Sequence, residues 1–152
     1  MPATEATGLP ARQSWMAALA KARPEQLQAA WEKLGDPPPY RFLRPPETGL
    51  VMVRGRAGGT GSPFNFGEMT ITRCTVQIDG GATGSAFVAG RSARHAEMAA
   101  FFDALLQDPE RQASILQMVI DPLVQGWQQK KIREKEKAAA TRVQFFTLVR
   151  GE

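Results

Sequence analysis

Residues 69–89, MTITRCTVQIDGGATGSAFVA, are predicted to form a β-hairpin. Its first strand runs from Met69 to Ile78 and its second from Thr83 to Ala89. Asp79-Gly80-Gly81 lies between them, and such a sequence favours a tight turn because glycine adopts positive φ at no steric cost. The stretch therefore predicts an antiparallel pair of strands.

Three further strands are predicted to extend this pair. Tyr40–Leu43 is short and is closed by Pro45-Pro46, whereas Leu50–Ala57 points alternate side chains to opposite faces. Thr141–Arg150 is rich in Phe, Val and Thr, which favour strands. Because the central strands follow one another without helices, we expect an antiparallel sheet of about four to five strands.

Helical patterns lie on both sides of these strands. Residues 10–34 carry the first, and Pro24, which suits a first helical turn, leaves open two helices or one kinked helix. Arg94–Gln107 is the next helix, and Asp108-Pro109 begins another because Asp caps a helix and Pro fits its first turn. Asp121-Pro122 repeats that signal and predicts a break or a kink. The predicted fold class is α+β, an antiparallel sheet flanked by N-terminal and C-terminal helices.

Length and composition are those of one folded domain. The chain has 152 residues, 43% of them hydrophobic and 22% charged, which is a globular balance. We expect residues 1–10 to be disordered and residues 11–152 to form a single α+β domain. No apolar run approaches the roughly 18–20 residues that span a bilayer, and no signal peptide is visible. We therefore expect a cytoplasmic protein with no membrane partner.

Residue counts exclude most metal and disulfide chemistry. Cys74 is the single cysteine and His95 the single histidine, so the chain alone supplies neither a disulfide nor the ligands of a typical zinc or iron–sulfur site. We expect no metal site and no cofactor bound by this chain alone. No nucleophile motif such as G-x-S-x-G is present, and any general-base scheme would depend on His95 alone. We therefore predict no catalytic residue. Cys74 lies within a predicted strand and is expected to be a small buried residue.

Positive charge is unevenly distributed. The net charge is +4 and the isoelectric point is about 9.6. Between residues 34 and 129 all lysine and arginine positions are arginine, a side chain that binds phosphate or carboxylate in a bidentate manner. An arginine-rich proteome would explain the same pattern, so composition leaves both interpretations open. No recognised nucleic-acid-binding module is present, and no nucleic-acid partner is expected.

A glycine-rich loop beside Arg54 and Arg56 is the first candidate site. Backbone N–H groups at Gly58, Gly59 and Gly61 could hold an anion between these arginines. The loop matches neither common phosphate-binding template, and a strand rather than a helix is predicted to follow it. A flexible connection between two strands is the alternative.

A second candidate lies where a strand end passes into a helix. Arg91, Arg94 and His95 place up to three cations near a helix N-terminus, where the helix dipole already favours anions. Structural roles are the alternative, because Arg94 and Glu97 can pair at i,i+3 and a lone histidine is commonly structural.

Eight short stretches resemble the PhnG family, subunits of the bacterial phosphonate carbon–phosphorus lyase system. They occur in register from residue 12 to residue 151, and the likeness between about 108 and 138 lies in length and pattern more than in identity. The stretches are Arg12-Gln13-x-Trp15-Met16, Glu47-Thr48-Gly49-Leu50-Val51, Gly58-Gly59-Thr60-Gly61, Pro63-Phe64-Asn65-x-Gly67-Glu68, Thr72-Arg73-Cys74, Gly90-Arg91 with His95-Ala96-Glu97, Asp103-Ala104-Leu105 and Ala140-Thr141-Arg142-Val143-x-Phe145-Phe146-Thr147-x-Val149-Arg150-Gly151.

The resemblance implies a role in phosphonate catabolism. Family members act with PhnH and PhnI, aided by PhnL, to displace adenine from ATP by an alkylphosphonate, which gives α-D-ribose 1-alkylphosphonate 5-triphosphate. PhnI is regarded as the catalytic component, and PhnJ, a radical S-adenosylmethionine enzyme, later cleaves the carbon–phosphorus bond. The chain is thus expected to be an accessory subunit of a core complex with PhnH, PhnI and PhnJ, inactive when alone. No catalytic residue is carried over from the family.

Two details stay open at this stage. Phe145, Phe146 and Arg150 are predicted to dock a partner, and exposed apolar surface on the isolated chain would suit either a partner site or a homodimer. The alternative function is that the Arg and His groups of the two candidate sites contact ATP or phosphonate directly.

Overall fold

The computed structural model describes the backbone of residues 11–150 and the side chains of residues 11–141. The predicted disorder of residues 1–10 lies outside this range. The chain begins with two helices, α1 (Ala11–Lys21) and α2 (Pro24–Leu34). Of the two predicted arrangements, the structure therefore has two separate helices, with Pro24 at the first position of the second.

Three antiparallel strands form the sheet. They are β1 (Tyr40–Arg56), β2 (Pro63–Ile78) and β3 (Thr83–Ala89), in the order β1-β2-β3. The predicted hairpin is confirmed, since β2 ends at Ile78 and β3 covers the predicted range.

The two strands predicted at Tyr40–Leu43 and Leu50–Ala57 are one continuous strand in the structure. The prolines between them do not end β1, because β1 is an edge strand whose outer N–H groups need no partner. Register shifts between Phe42 and Arg44, and between Arg44 and Glu47, absorb the irregularity as bulges. This merger removes one of the expected four to five strands.

The strand predicted at Thr141–Arg150 is wrong, because these residues continue helix α5 (Asp121–Arg150). Residues 130–140 are almost all Lys, Glu, Arg and Ala, which are strong helix formers. The β-preference of Phe, Val and Thr is weak and depends on context, whereas a helix that has already formed is extended by one hydrogen bond for each residue added. The helix therefore continues through them.

The remaining helices follow the sheet. α3 (Ala93–Leu106) comes first, then α4 (Pro109–Ile115), whose predicted cap is confirmed because the Asp108 side chain accepts from the backbone N–H of Glu110. A π-helical turn, Leu116–Ile120, joins α4 to α5. It lies immediately before Asp121-Pro122, where a break or kink was expected, since proline has no N–H to donate and disturbs the preceding turn.

Helix α3 is the centre of the hydrophobic core. Eleven of its 14 residues are buried, because the sheet covers one side and α1 and α2 pack against it as well. β3 approaches it so closely that a Cβ on Gly84 would stand 2.0 Å from the Ala100 carbonyl oxygen. Its largest buried side chains join those of α1, α2, β2 and β3: Leu19, Leu27, Val76, Val88, Met98, Phe101, Phe102 and Leu106.

Candidate interaction surface

A two-stranded arm extends from the sheet. β3 pairs only with residues 71–77 of β2, so the remainder of the β1–β2 ladder, residues 50–70, continues without a third strand; we call it the arm. At about 3.3 Å per residue, the seven steps from Thr70 to Pro63 carry it roughly 23 Å beyond the three-stranded sheet. None of its residues is buried.

The arm exposes large apolar side chains. Leu50 is 65% exposed and Phe66 is 61% exposed. A free two-stranded hairpin is only marginally stable in water, and large apolar side chains exposed close together mark an interaction site. The exposed apolar side chains lie on both faces of the arm, because successive strand residues point to opposite sides: Leu50, Val51, Met52, Phe64, Phe66 and Met69.

The first predicted site lies at the end of the arm. Arg54 and Arg56 are exposed residues of β1, and the glycines that follow form a 3-10 turn, Ala57–Gly59, in which Gly58 and Gly59 have positive φ. The loop connects two antiparallel strands, as the structural alternative proposed. Anion binding at Gly58, Gly59 and Gly61 stays a prediction.

The second predicted site lies at the body of the protein. Arg91 precedes helix α3 and is exposed, whereas Arg94 pairs with Glu97 at 3.1 Å and lies over the Trp31 ring at 4.7 Å. The His95 ring is buried, and its Nε2–H donates to the Leu19 carbonyl oxygen at 2.9 Å. Arg94 and His95 therefore have the structural roles that the sequence analysis gave as the alternative. Ligand binding by Arg91, Arg94 and His95 stays a prediction.

The two predicted sites are far apart. Arg54 pairs with Asn65, whereas the carbonyl oxygen of Gly90 accepts from the side chain of Thr72. Thr72 lies seven steps along β2 from Asn65, which is roughly 23 Å along a strand. The structure therefore does not bring these two groups of cations together.

A buried carboxylate that sequence analysis missed joins three elements. Asp103 is fully buried and accepts from the indole N–H of Trp15 at 2.8 Å, from the backbone N–H of Ser85 at 2.9 Å and from the guanidinium of Arg12 at 2.9 Å. The hydrogen bond to Asp103 raises the pKa of Arg12. The family stretches around Arg12 and Asp103 thus contact each other in the fold. The presence of both residues in those stretches was the sequence signal available for this contact.

Two other titratable groups lie in the core or pack against it. The Tyr40 hydroxyl donates to Glu97, and burial together with this bond raises the pKa of Tyr40 to about 12. Burial raises the pKa of Cys74 to about 11, and its side chain is inaccessible, which confirms that Cys74 is a buried residue. A thiol in this state is protonated and shielded at neutral pH.

Helix α5 is the second projecting element. Its 30 residues reach about 45 Å at 1.5 Å per residue, and residues 125–141 are exposed throughout. Lys130–Lys137 carries five cations and two anions. The side chains of Phe145, Phe146 and Arg150 lie outside the described residues, so their docking role stays a prediction.

Within the described residues, no group of three or more His, Cys, Asp or Glu side chains has a metal-binding arrangement. Over the same range, none of the helices combines the length and the hydropathy needed to cross a bilayer.

Comparison with known proteins gives two findings. The family model described as phosphonate metabolism protein PhnG matches residues 10–151. The alpha-D-ribose 1-methylphosphonate 5-triphosphate synthase subunit PhnG of Rhizobium meliloti (strain 1021) is 42% identical to the chain over 145 residues, which is 95% of this chain and 92% of that relative.

Proposed function

The chain belongs to the PhnG family of phosphonate metabolism proteins, and from this premise we propose that it is an accessory subunit of the complex in which an alkylphosphonate displaces adenine from ATP. The product of that reaction is α-D-ribose 1-alkylphosphonate 5-triphosphate. The proposed partners are PhnH, PhnI and PhnJ, with PhnL associated. We further propose that residues 11–152 act as one α+β unit and that the chain alone needs no cofactor. The proposed location of the complex is the cytoplasm.

The arm is the observation that carries this proposal. Burial of an apolar side chain such as Leu50 or Phe66 contributes about 1.5–3 kcal/mol, yet both are exposed on the isolated chain. The core formed by α3, the sheet and the N-terminal helices is complete without them. An extended apolar ladder outside a complete core supports contact with other subunits.

The proposal is tested by reconstitution. The chain is co-expressed with PhnH, PhnI and PhnJ, supplemented with PhnL, and adenine release from ATP and methylphosphonate is measured with and without it. We expect the chain to co-purify with the others and adenine release to require it. Full adenine release in its absence, or release by this chain alone, would refute the subunit role.

A shortened variant tests whether the arm makes the contact. Residues 53–67 are replaced by Asn-Gly, which joins the paired residues Met52 and Glu68 through a two-residue hairpin turn. We expect this variant to keep the cooperative unfolding of the full chain, because the deleted residues are outside the core, but to lose assembly. Assembly at the wild-type level would exclude residues 53–67 of the arm as the docking surface.

A further inference from the structure

We propose that the end of the arm is an aromatic and cationic knob that inserts into an apolar pocket with an acidic rim on another subunit of the complex. The knob consists of Arg54, Gly55, Arg56, Phe64 and Phe66. This inference rests on the proposed function, since it specifies how one part of the arm is recognised.

The two phenylalanines are held in place by the arm itself. The β1–β2 register shifts between Val53 and Arg54, which leaves Phe66 as an extra residue opposite that step. Its ring lies over Gly55, where a Cβ would stand 2.8 Å from the ring edge. The Phe64 and Phe66 rings pack on each other with centroids 5.9 Å apart. Such preorganised aromatic residues lose little conformational entropy on binding.

Phe64 and Phe66 lie where they contribute little to the folding of the domain. Phe64 is 47% exposed even though it packs against Phe66, and both lie at the end of the arm farthest from α3. Aromatic residues and arginine are the side chains that most often dominate binding at protein interfaces. We therefore assign the pair to a pocket in a protein surface.

Charge predicts the rim of that pocket. Residues 53–67 contain two arginines and no acidic residue, and neither Arg54 nor Arg56 forms a salt bridge with another described residue. A guanidinium matches the geometry of a carboxylate, so acidic side chains around the pocket would complement the knob and speed association.

Two other occupants fit these observations less well. Two copies of the knob in contact would place like charges together, which opposes a homodimer at this site. A nucleotide base could stack on aromatic faces, but the two rings are inclined at 55° and pack against each other, so they do not form two parallel walls around a base. An acidic protein pocket suits both the rings and the arginines.

Site-specific photo-crosslinking tests the inference in the assembled complex. Phe66 is replaced by p-benzoylphenylalanine in the full chain, and Phe87, which is 57% exposed on the three-stranded part of the sheet, is replaced in the control. We expect crosslinks from position 66 to another subunit, at a peptide that contains apolar residues flanked by Asp or Glu. Crosslinks to a second copy of this chain, or to radiolabelled ATP, would overturn the inference.

Affinity measurements provide the second test. Phe64→Ala/Phe66→Ala should weaken binding to the purified partner subunits by about tenfold or more, whereas Phe87→Ala should change it by less than about twofold. Arg54→Gln/Arg56→Gln should slow association and reduce its salt dependence. An equal loss for Phe87→Ala, or unchanged binding by the double phenylalanine variant, would overturn the knob while the proposed function stands. Failure of the wild-type chain to assemble would remove both.

Discussion

Asp103 shows how one residue can join three elements. Its carboxylate accepts hydrogen bonds from α1, through Arg12 and Trp15, and from β3, through the backbone N–H of Ser85. Because β3 is an edge strand, the carboxylate also covers an N–H group that the sheet leaves without a partner.

Removal of this carboxylate should destabilise the protein strongly. Asp103→Ala leaves the indole N–H of Trp15 and the N–H of Ser85 without an acceptor, at about 1–3 kcal/mol each, so we expect a loss of about 3 kcal/mol in urea unfolding. Arg12→Gln should cost less, about 1.5 kcal/mol, because it removes a charge-assisted bond from the half-exposed partner but leaves the buried carboxylate its Trp15 and Ser85 donors. Equal losses for the two variants would contradict this account.

Tyr40 allows a direct test of its environment, since it is the only tyrosine in the chain. Its pKa is raised from 10.0 to about 12 by burial and by the bond to Glu97, so the folded state favours the neutral phenol. The stabilisation is present below pH 10 and is lost as the pH rises from about 10 towards 12. Cys74, raised from 9.0 to about 11, adds a loss of the same sign that begins nearer pH 9.

The measurement is the ultraviolet absorbance of tyrosinate against pH, with folding followed by circular dichroism. We expect a midpoint near 12 in the folded chain and near 10 in urea. Glu97→Gln should lower the folded midpoint without restoring it to 10, because burial remains the larger cause. A folded midpoint at 10 would show that Tyr40 is solvated.

At the scale of elements, the contact between β3 and α3 depends on a glycine. A Cβ on Gly84 would meet backbone atoms of Ala100 and Ala104 at 2.0 and 2.5 Å, whereas a Cβ on Gly49 in β1 meets nothing within 4 Å. We expect Gly84→Ala to destabilise the protein by about 3 kcal/mol or more through overpacking. Gly49→Ala is the matched control, with a change between zero and about 1 kcal/mol in the stabilising direction. Thermal or urea unfolding of both variants measures the change in the free energy of unfolding. Similar changes for the two variants would mean that α3 can move away from β3.

At the scale of the whole molecule, burial divides the chain into a packed body and two projecting elements. Helix α3 lies inside the body, whereas no residue of the arm is buried and residues 125–141 of α5 are exposed. Hydrogen exchange of the isolated chain should therefore be slowest in α3 and fastest in the arm and in residues 128–141 of α5. In the assembled complex the arm should become protected, while exchange in α3 changes little. An arm as protected in the isolated chain as α3 would contradict this division.

Local sequence determined the elements whose signals act over a few residues. Asp79-Gly80-Gly81 set the hairpin between β2 and β3, and Asp108-Pro109 set the start of α4, because turn and cap geometry depends on adjacent side chains. The family stretches likewise led to the PhnG family, and the arginines at the end of the arm could be named from the sequence.

Tertiary structure decided what depends on distant neighbours. β1 continues through two prolines because it is an edge strand whose outer N–H groups need no partner. The contacts of Asp103 with Arg12 and Ser85 also required the folded chain. These features rest on which surfaces meet, and an interaction between residues 91 positions apart leaves no periodic pattern in a single sequence.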